Sequence, residues 1–366
     1  MKFSIEKENI LRELQLLQGI VEKRNTMPIL ANILINATEE EIEMTGTDLE
    51  VGLKSHFPAR VEETGSITIS GKKLFEIVRS LAGDRDVIFN EEENMVLGIV
   101  SGESHFKVLC LPKEDYPQVP EPKFAKKIVL PLEKIKEMID GVYFSITQEQ
   151  RYYLNGALMN IKNKMIELVS TDGHRLAYTA LDLDDLAVDS EISGIVSKKT
   201  LSELRKFENE RLDFDLDENN LFFRVANRTL ISRIIEGKFP NYEAVIPQDN
   251  TGLMTVSRGE MTDAIRRVSL LSTERSKGVK FSISRGQISL FSSNPEIGEA
   301  RDKIQANYEG EELEIGFNSQ YLLDFLTTIK SETVRLEFKD ENSAVLMRPE
   351  TGDDIKYLYV LMPMKI

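Results

Sequence analysis

Apolar positions along the chain follow two rhythms, and the same succession of rhythms comes round three times. Leu74, Ile77, Val78 and Leu81 fall at i, i+3, i+4 and i+7, which predicts a helix in SGKKLFEIVRS (70–80). Leu322, Leu323, Leu326 and Ile329 do much the same in NSQYLLDFLTT (318–328), and SKKTLSELRKF (197–207) reads alike. Each stretch follows a β-rich run and opens on a serine or asparagine, whose oxygen can accept from a first-turn backbone N–H. Another helix opens each unit. Its buried face is marked by Ile10, Leu14, Leu17 and Val21, then by Leu132, Ile135, Met138 and Ile139, then by Met261, Ile265 and Val268. Pro131 suits the first turn of the second of these helices, and Ser257 with Glu260 can form a capping box on the third.

Between the helices the rhythm shortens to alternation. ILINATEEEIEMTGTD (33–48), GALMNIKNKMIELVSTD (156–172) and VKFSISRGQISLFSSN (279–294) each read as two strands around a short turn. Each ends in a hydroxyl residue followed by Asp or Asn: Thr47-Asp48, Thr171-Asp172, Ser293-Asn294. A second hairpin recurs at 87–100, 212–226 and 334–347 around an acidic, Asn-bearing turn. Proline-rich, aperiodic stretches at 116–127 and 239–252 separate the units. The expected fold class is therefore α+β, as three repeated domains over 1–120, 127–247 and 248–366. A period this long means repeated domains rather than a solenoid. A threefold repeat builds an arc, and two arcs can close a ring.

Charge changes the picture. The chain of 366 residues carries a net charge of −15, which on average opposes binding to a polyanion. Locally the balance reverses. Lys72, Lys73 and Arg79 outnumber Glu76, while Lys198, Lys199, Arg205 and Lys206 outnumber Glu203. Arg258, Arg266 and Arg267 outnumber Glu260 and Asp263. Basic helices at matching places in repeated units suit a face that meets phosphates without reading bases. Cys110 is the single cysteine, so no disulfide framework forms, which fits a reducing, cytoplasmic setting. The N-terminal MKFSIEKENILRELQ does not read as a secretory signal, and no apolar run is long enough to span a bilayer, so no membrane partner is expected.

Candidate chemistry is sparse. His56, His105 and His174 are scattered, and no metal-ligand spacing accompanies them. ISGKK (69–73) lacks the upstream glycines of a phosphate loop. DFDLDENN (213–220) has Glu218 where a calcium loop needs glycine and Arg224 where it needs a bidentate acid. TDGHR (171–175) places Asp172 near His174, which leaves a repeat-built hydrolase as the alternative reading. The same turn recurs at Thr47-Asp48 and Ser293-Asn294 without histidine, and no nucleophile sits in a strained-turn motif. A protein without catalytic activity, cofactor or metal is expected.

TGTDLE (45–50), RYYLNGAL (151–158), STDGHRLA (170–177) and the terminal YVLMPMKI (359–366), in this order over the whole chain, resemble the bacterial DNA polymerase III β subunit family, the replicative sliding clamps. The resemblance implies a head-to-tail homodimer: a six-domain ring with helices lining the hole and sheets outside. Such a ring encircles duplex DNA without sequence preference and makes the replicative polymerase processive. It implies a shared pocket for short motifs of polymerases, the clamp loader, and repair and ligation proteins. That pocket maps to Leu154, Thr171, Gly173, His174, Arg175, Leu176, Pro240, Val245, Val360, Leu361, Met362, Pro363 and Met364. Ala244 departs from an arginine found in some members, which removes one polar contact from the rim. DNA contacts map to Arg24, Gln148, Tyr152, Tyr153 and Lys198, with Arg151 added by proximity. The dimer seam maps to Phe106 and Val108 against Leu270 and Leu271.

Overall fold

A computed structural model describes every residue except 22–26, 84, 125–126, 148–151, 184–190, 275, 352–353 and 366. Six α-helices lie among the described residues: α1 (Lys7–Leu17), α2 (Gly71–Ser80), α3 (Leu132–Tyr143), α4 (Lys198–Leu204), α5 (Arg258–Ser269) and α6 (Ser319–Thr328). They fall where the apolar spacing places them. Ile10, Leu14 and Leu17 are fully buried on α1, as are Leu74 and Val78 on α2 and Leu322 and Leu326 on α6. The caps form as the sequence suggests at three starts. Ser70 Oγ accepts from Lys73 N–H, Ser257 Oγ from Glu260 N–H, and Asn318 Oδ1 from Gln320 and Tyr321 N–H. Pro131 ends the strand Ile128–Pro131, one residue before α3 rather than inside its first turn.

All six predicted hairpins are present. Each is followed by a further strand that the hairpin pattern alone does not announce, and those strands build the sheets. The described residues fall into two compact units. In the first (Met1–Glu133 with Lys199–Ile234), Arg228–Arg233 from the second repeat pairs antiparallel with Val51–Pro58 from the first, with Leu230 opposite Leu53. That pairing fuses two four-stranded halves into one eight-stranded sheet, and α1 packs on α2. In the second (Lys134–Lys198 with Ile235–Ile366), Ile355–Leu361 pairs antiparallel with Arg175–Asp182, placing Val360 opposite Leu176. A second eight-stranded sheet results, and α5 packs on α6. Each unit also holds a smaller sheet. The five-stranded one ends at Ser104–Leu109, and the four-stranded one ends at Gly298–Gln305 on one side and Leu313–Asn318 on the other.

The boundary stretch after the first repeat is not a loose linker. Tyr116 is buried, and its hydroxyl donates to the carbonyls of Asn32 and Thr45 at 3.3 and 3.1 Å. DFDLDENN is a hairpin turn: Asp217 Oδ1 accepts from the backbone of Asn219 and Asn220, both at 2.8 Å. Asp213, at its start, faces cations instead of holding one metal. Arg211 Nε, Arg224 Nη2 and Lys127 Nζ lie 2.6, 2.9 and 3.2 Å from its oxygens. Burial raises the carboxyl's pKa, but these three donors outweigh it and hold it at about 2. A folded pKa below the unfolded one means that the stabilisation is present above the ordinary aspartate range. It is lost as the pH falls toward about 2. Asp213→Asn is therefore expected to destabilise by about 2 kcal/mol at neutral pH, because the guanidinium groups lose a charged acceptor. Calorimetric melting at a series of pH values checks this: the difference between native and variant should narrow steadily between pH 4 and 2.

Candidate functional site

The Thr-Asp turn is the point around which the site is built. Thr171 Oγ1 donates to the carbonyl of Arg175 at 2.7 Å and accepts from Gly173 N–H at 3.1 Å. Asp172 Oδ1 accepts from the backbone of His174 and Arg175 at 2.9 and 3.1 Å. Gly173 has φ +90°, which only glycine adopts without cost. The first repeat has the same turn. Thr47 and Asp48 make the equivalent bonds to Val51, Leu49 and Glu50, and Leu49 holds φ +78°. A turn built twice from the same bonds gives Thr171 and Asp172 a structural task. His174, exposed beside it, gains no nucleophile, and the hydrolase reading loses its support.

From this turn the strand Arg175–Asp182 alternates its side chains between two faces. Leu176 goes to one face, where it joins Leu154, Val169, Ile235, Phe239, Tyr242 and Val360 in one apolar cluster. Leu154, Leu176 and Val360 are only 2, 3 and 1% exposed and form a floor. Of the other residues assigned to the pocket, Pro240 is exposed, Val245 and Met362 are 46 and 44% exposed, and Pro363 and Met364 are half-buried. The tail that carries them is tied down by its backbone. Met362 N–H donates to the carbonyl of His174 at 3.0 Å and Met364 N–H to that of Gly316 at 2.9 Å.

Arg175 and Leu361 go to the opposite face, and the pocket assigned to them from the sequence is corrected accordingly. Leu361 is fully buried opposite Arg175 in the ladder. Arg175 donates from Nε to Asp172 at 2.9 Å, from Nη1 to Asp324 of α6 at 2.6 Å, and from Nη2 to the carbonyl of Phe144 at 2.6 Å. Its guanidinium also lies 4.1 Å from the centre of the Tyr321 ring. Burial disfavours its charge, yet these partners hold its pKa above the ordinary arginine value. Arg175 thus clips the turn to α6 from behind the floor, with Nε, Nη1 and Nη2 each bound within the protein. Arg175→Ala is expected to destabilise by about 3 kcal/mol, since Asp324 and Asp172 both lose a buried partner. Thermal unfolding of the variant measures it.

The residues assigned to DNA are placed unevenly. Arg24, Gln148 and Arg151 lie outside the described residues. Tyr152 and Tyr153 are neighbours in sequence but diverge: Tyr152 is 52% exposed, whereas Tyr153 packs against the groove's apolar cluster. Lys198, at the start of α4, turns inward. Its ammonium donates to the carbonyl of Ile146 at 3.0 Å and lies 5.1 Å from the Tyr143 ring centre. Burial, and then the nearby Arg175, pull its pKa down. The helix cations are more compensated than their sequence suggests. Lys199 meets Asp48 at 2.5 Å, Lys206 meets Glu203 at 2.6 Å, and Arg267 meets Asp302 at 2.7 Å. Lys72 and Lys73 lie 3.8 and 2.9 Å from Glu76 and Arg266 lies 3.9 Å from Asp263, but their side chains remain 67, 65 and 58% exposed.

The residues assigned to the seam divide between a sheet edge and a helix end. Phe106 and Val108 are half-buried on the edge strand Ser104–Leu109. Leu270, just past α5, is 77% exposed, and Leu271 is half-buried. Leu109, on the same edge strand, and Ile297, in the turn before Gly298–Gln305, are 80 and 61% exposed and were not singled out by sequence.

Three family models tile the chain: the DNA polymerase III beta subunit N-terminal domain over 1–120, its central domain over 129–241 and its C-terminal domain over 243–365. The chain belongs to the DNA polymerase III β subunit family. Its relatives agree over their full length. The beta sliding clamp of Pseudomonas aeruginosa is 35% identical over 371 residues, covering 100% of both chains. That of Haemophilus influenzae is 33% identical, again over 100% of both. The crystal structure of the Pseudomonas aeruginosa DNA polymerase III subunit beta superimposes with a TM-score of 0.95 at 34% identity, covering 100% of both chains. The DNA polymerase sliding clamp of Bacillus subtilis superimposes with 0.95 at 29% identity, covering 100% of this chain and 99% of that one. As in this family, the chain is a three-domain assembly of helices and antiparallel sheets. Among the described residues no helix is long and apolar enough to cross a membrane.

Proposed function

We infer that this chain is a DNA sliding clamp that acts without catalysis of its own: two copies join head to tail into a ring that encircles duplex DNA in the cytoplasm. The observation that carries this reading is the family match over the whole length, in three successive domains. The domains are taken as 1–120, 127–247 and 248–366. Two open sheet edges support ring closure. Ser104–Leu109 and Gly298–Gln305 each have a row of unpaired backbone groups, and Leu109 and Leu270 stand exposed beside them. An uncovered edge of this kind is a template for pairing with another chain. Once closed, a ring holds DNA by topology. Weak phosphate contacts from residues such as Lys72, Lys73 and Arg266 then permit sliding, while a net charge of −15 keeps the outer surface from binding DNA.

The groove over Leu154, Leu176 and Val360 is the docking site for short apolar segments of the replicative polymerase, the clamp loader, and repair and ligation proteins. Its floor is apolar and its wall carries methionines, which adapt to varied ligands. Tethering by such a segment raises the polymerase's local concentration at the primer end, which is processivity by avidity. Sedimentation equilibrium at micromolar concentration tests ring formation. A mass of twice the 41.7 kDa of one chain is expected, and a single-chain mass overturns the reading.

A further inference from the structure

Beside the groove floor the eight-stranded sheet of the second unit splits. The strand Val345–Pro349 pairs with Ile355–Leu361 only from Val345 to Met347, opposite Leu361 to Tyr359. Beyond that point Arg348 and Pro349 turn away, and residues 355–358 keep a partner on one side alone, the strand Arg175–Asp182. The wedge between them is a cavity of about 520 Å³, distinct from the groove floor. Its walls join the groove directly. Tyr178, Ile246 and Leu358 line the cavity and also pack on the cluster that contains Leu154, Leu176 and Val360. The short turn Glu243–Val245 puts Glu243 on the cavity and leads straight into Ile246, which lines the cavity and packs on the cluster.

The polar lining at this end is one-sided. Tyr178 and Tyr242 stack with ring centres 6.1 Å apart, and both hydroxyls donate to Glu167, at 2.7 and 3.3 Å. Their protons are committed, so what these oxygens offer to the cavity is lone pairs. Glu167 is 4% exposed and also meets Lys162 at 3.4 Å. Burial and Glu167 together raise both phenols' pKa, Tyr242 to about 12, so neither becomes an anion near neutrality. Glu243 forms no ion pair among the described residues. The cavity's three cations each meet a carboxylate: Lys330 with Glu137 at 2.7 Å, Lys356 with Asp182 at 2.9 Å, and Arg348 through Nη2 with Glu337, while Arg348 Nε is buried without a partner among the described residues. Acceptors without protons, one unpaired carboxylate, two π faces and an apolar wall of Ile246 and Leu358 select an occupant that is aliphatic along its length and cationic at its tip.

We propose that this cavity is an auxiliary specificity pocket that takes a lysine or arginine side chain flanking the apolar segment docked in the groove, with Glu243 pairing its charge. The proposal rests on the groove reading above, because the flank is delivered by a segment already seated there. The aliphatic stem runs between Ile246 and Leu358, and the tip reaches the Tyr178–Tyr242 pair and Glu243. Partners of this chain therefore carry basic rather than acidic residues beside their apolar motif.

Calorimetry with three synthetic peptides tests this. All share one leucine- and phenylalanine-bearing core, flanked on both sides by lysine, by alanine or by glutamate. The lysine peptide is expected to bind about tenfold more tightly than the alanine peptide at low salt, and the glutamate peptide more weakly than either. Glu243→Gln should abolish the lysine preference and leave the alanine peptide unchanged. Ile246→Lys, which fills the cavity with a cation of the protein's own, should also abolish the lysine preference. Equal affinity of lysine and alanine peptides, with the core still binding, overturns the pocket and leaves the groove standing. Failure of all three peptides to bind overturns the groove reading and this inference with it.

Discussion

Removing residues 362–366 is expected to lower the affinity of a leucine- and phenylalanine-bearing peptide about a hundredfold and to leave the dimer intact. The floor residues survive the deletion, since Leu154, Leu176 and Val360 are held by strand pairing and by the buried cluster. What disappears is the wall. Met362 is tied to the turn by its N–H bond to His174, and Met364 is tied to Gly316. An apolar side chain seated on a floor without that wall stays in contact with water on one side and loses most of its desolvation gain. The dimer should be indifferent for a topological reason. Gly316 belongs to Leu313–Asn318, the edge of the four-stranded sheet opposite to Gly298–Gln305. Calorimetry on intact and truncated chain, with sedimentation on both, separates the outcomes. Unchanged peptide affinity removes the tail from the groove, and a monomeric truncation product places it at the seam instead.

The second large effect concerns that seam. Leu109→Glu combined with Leu270→Glu is expected to raise the dimer dissociation constant by about a hundredfold or more. Both leucines are free of the core, at 80 and 77% exposure, so the substitutions cost the isolated chain little. In the ring they would bury two carboxylates at each seam with no cation supplied to meet them. The single variants should fall between. Sedimentation velocity over a range of concentrations reads the shift, and circular dichroism melting shows that each variant remains folded. A double variant that dimerises like the native chain would exclude these edges from the interface.

Much of this fold is legible in the sequence because it is local. The helices follow from the spacing of residues such as Leu74 and Val78, and their starts from Ser70, Ser257 and Asn318. The hairpins follow from alternation around polar turns. What the sequence does not show is long-range register. Nothing in Arg228–Arg233 announces that it pairs with Val51–Pro58, although that pairing joins two repeats into one sheet. The site divides in the same way. Leu154, Leu176 and Val360 come together in one apolar cluster. Arg175 and Leu361 do not, and strand alternation alone would have sent them to the face away from Leu176. The charge reading also needed three dimensions: Lys199 and Arg267 count as free cations along the chain, but Asp48 and Asp302 reach them in space. The Glu167–Tyr178–Tyr242 network and its wedge are invisible in sequence, since an opening between strands has no local signature.

The central claim is that the chain holds DNA by enclosing it. The most direct measurement follows labelled protein on a nicked DNA circle after loading by a clamp loader, then cuts the circle with a restriction enzyme. The account predicts long retention on the circle even at salt that screens phosphate contacts, and rapid loss once the DNA is linear and the ring can slide off an end. Retention unaffected by linearisation, or loss from the intact circle on raising the salt, would mean that surface contact rather than enclosure holds the protein, and would contradict it.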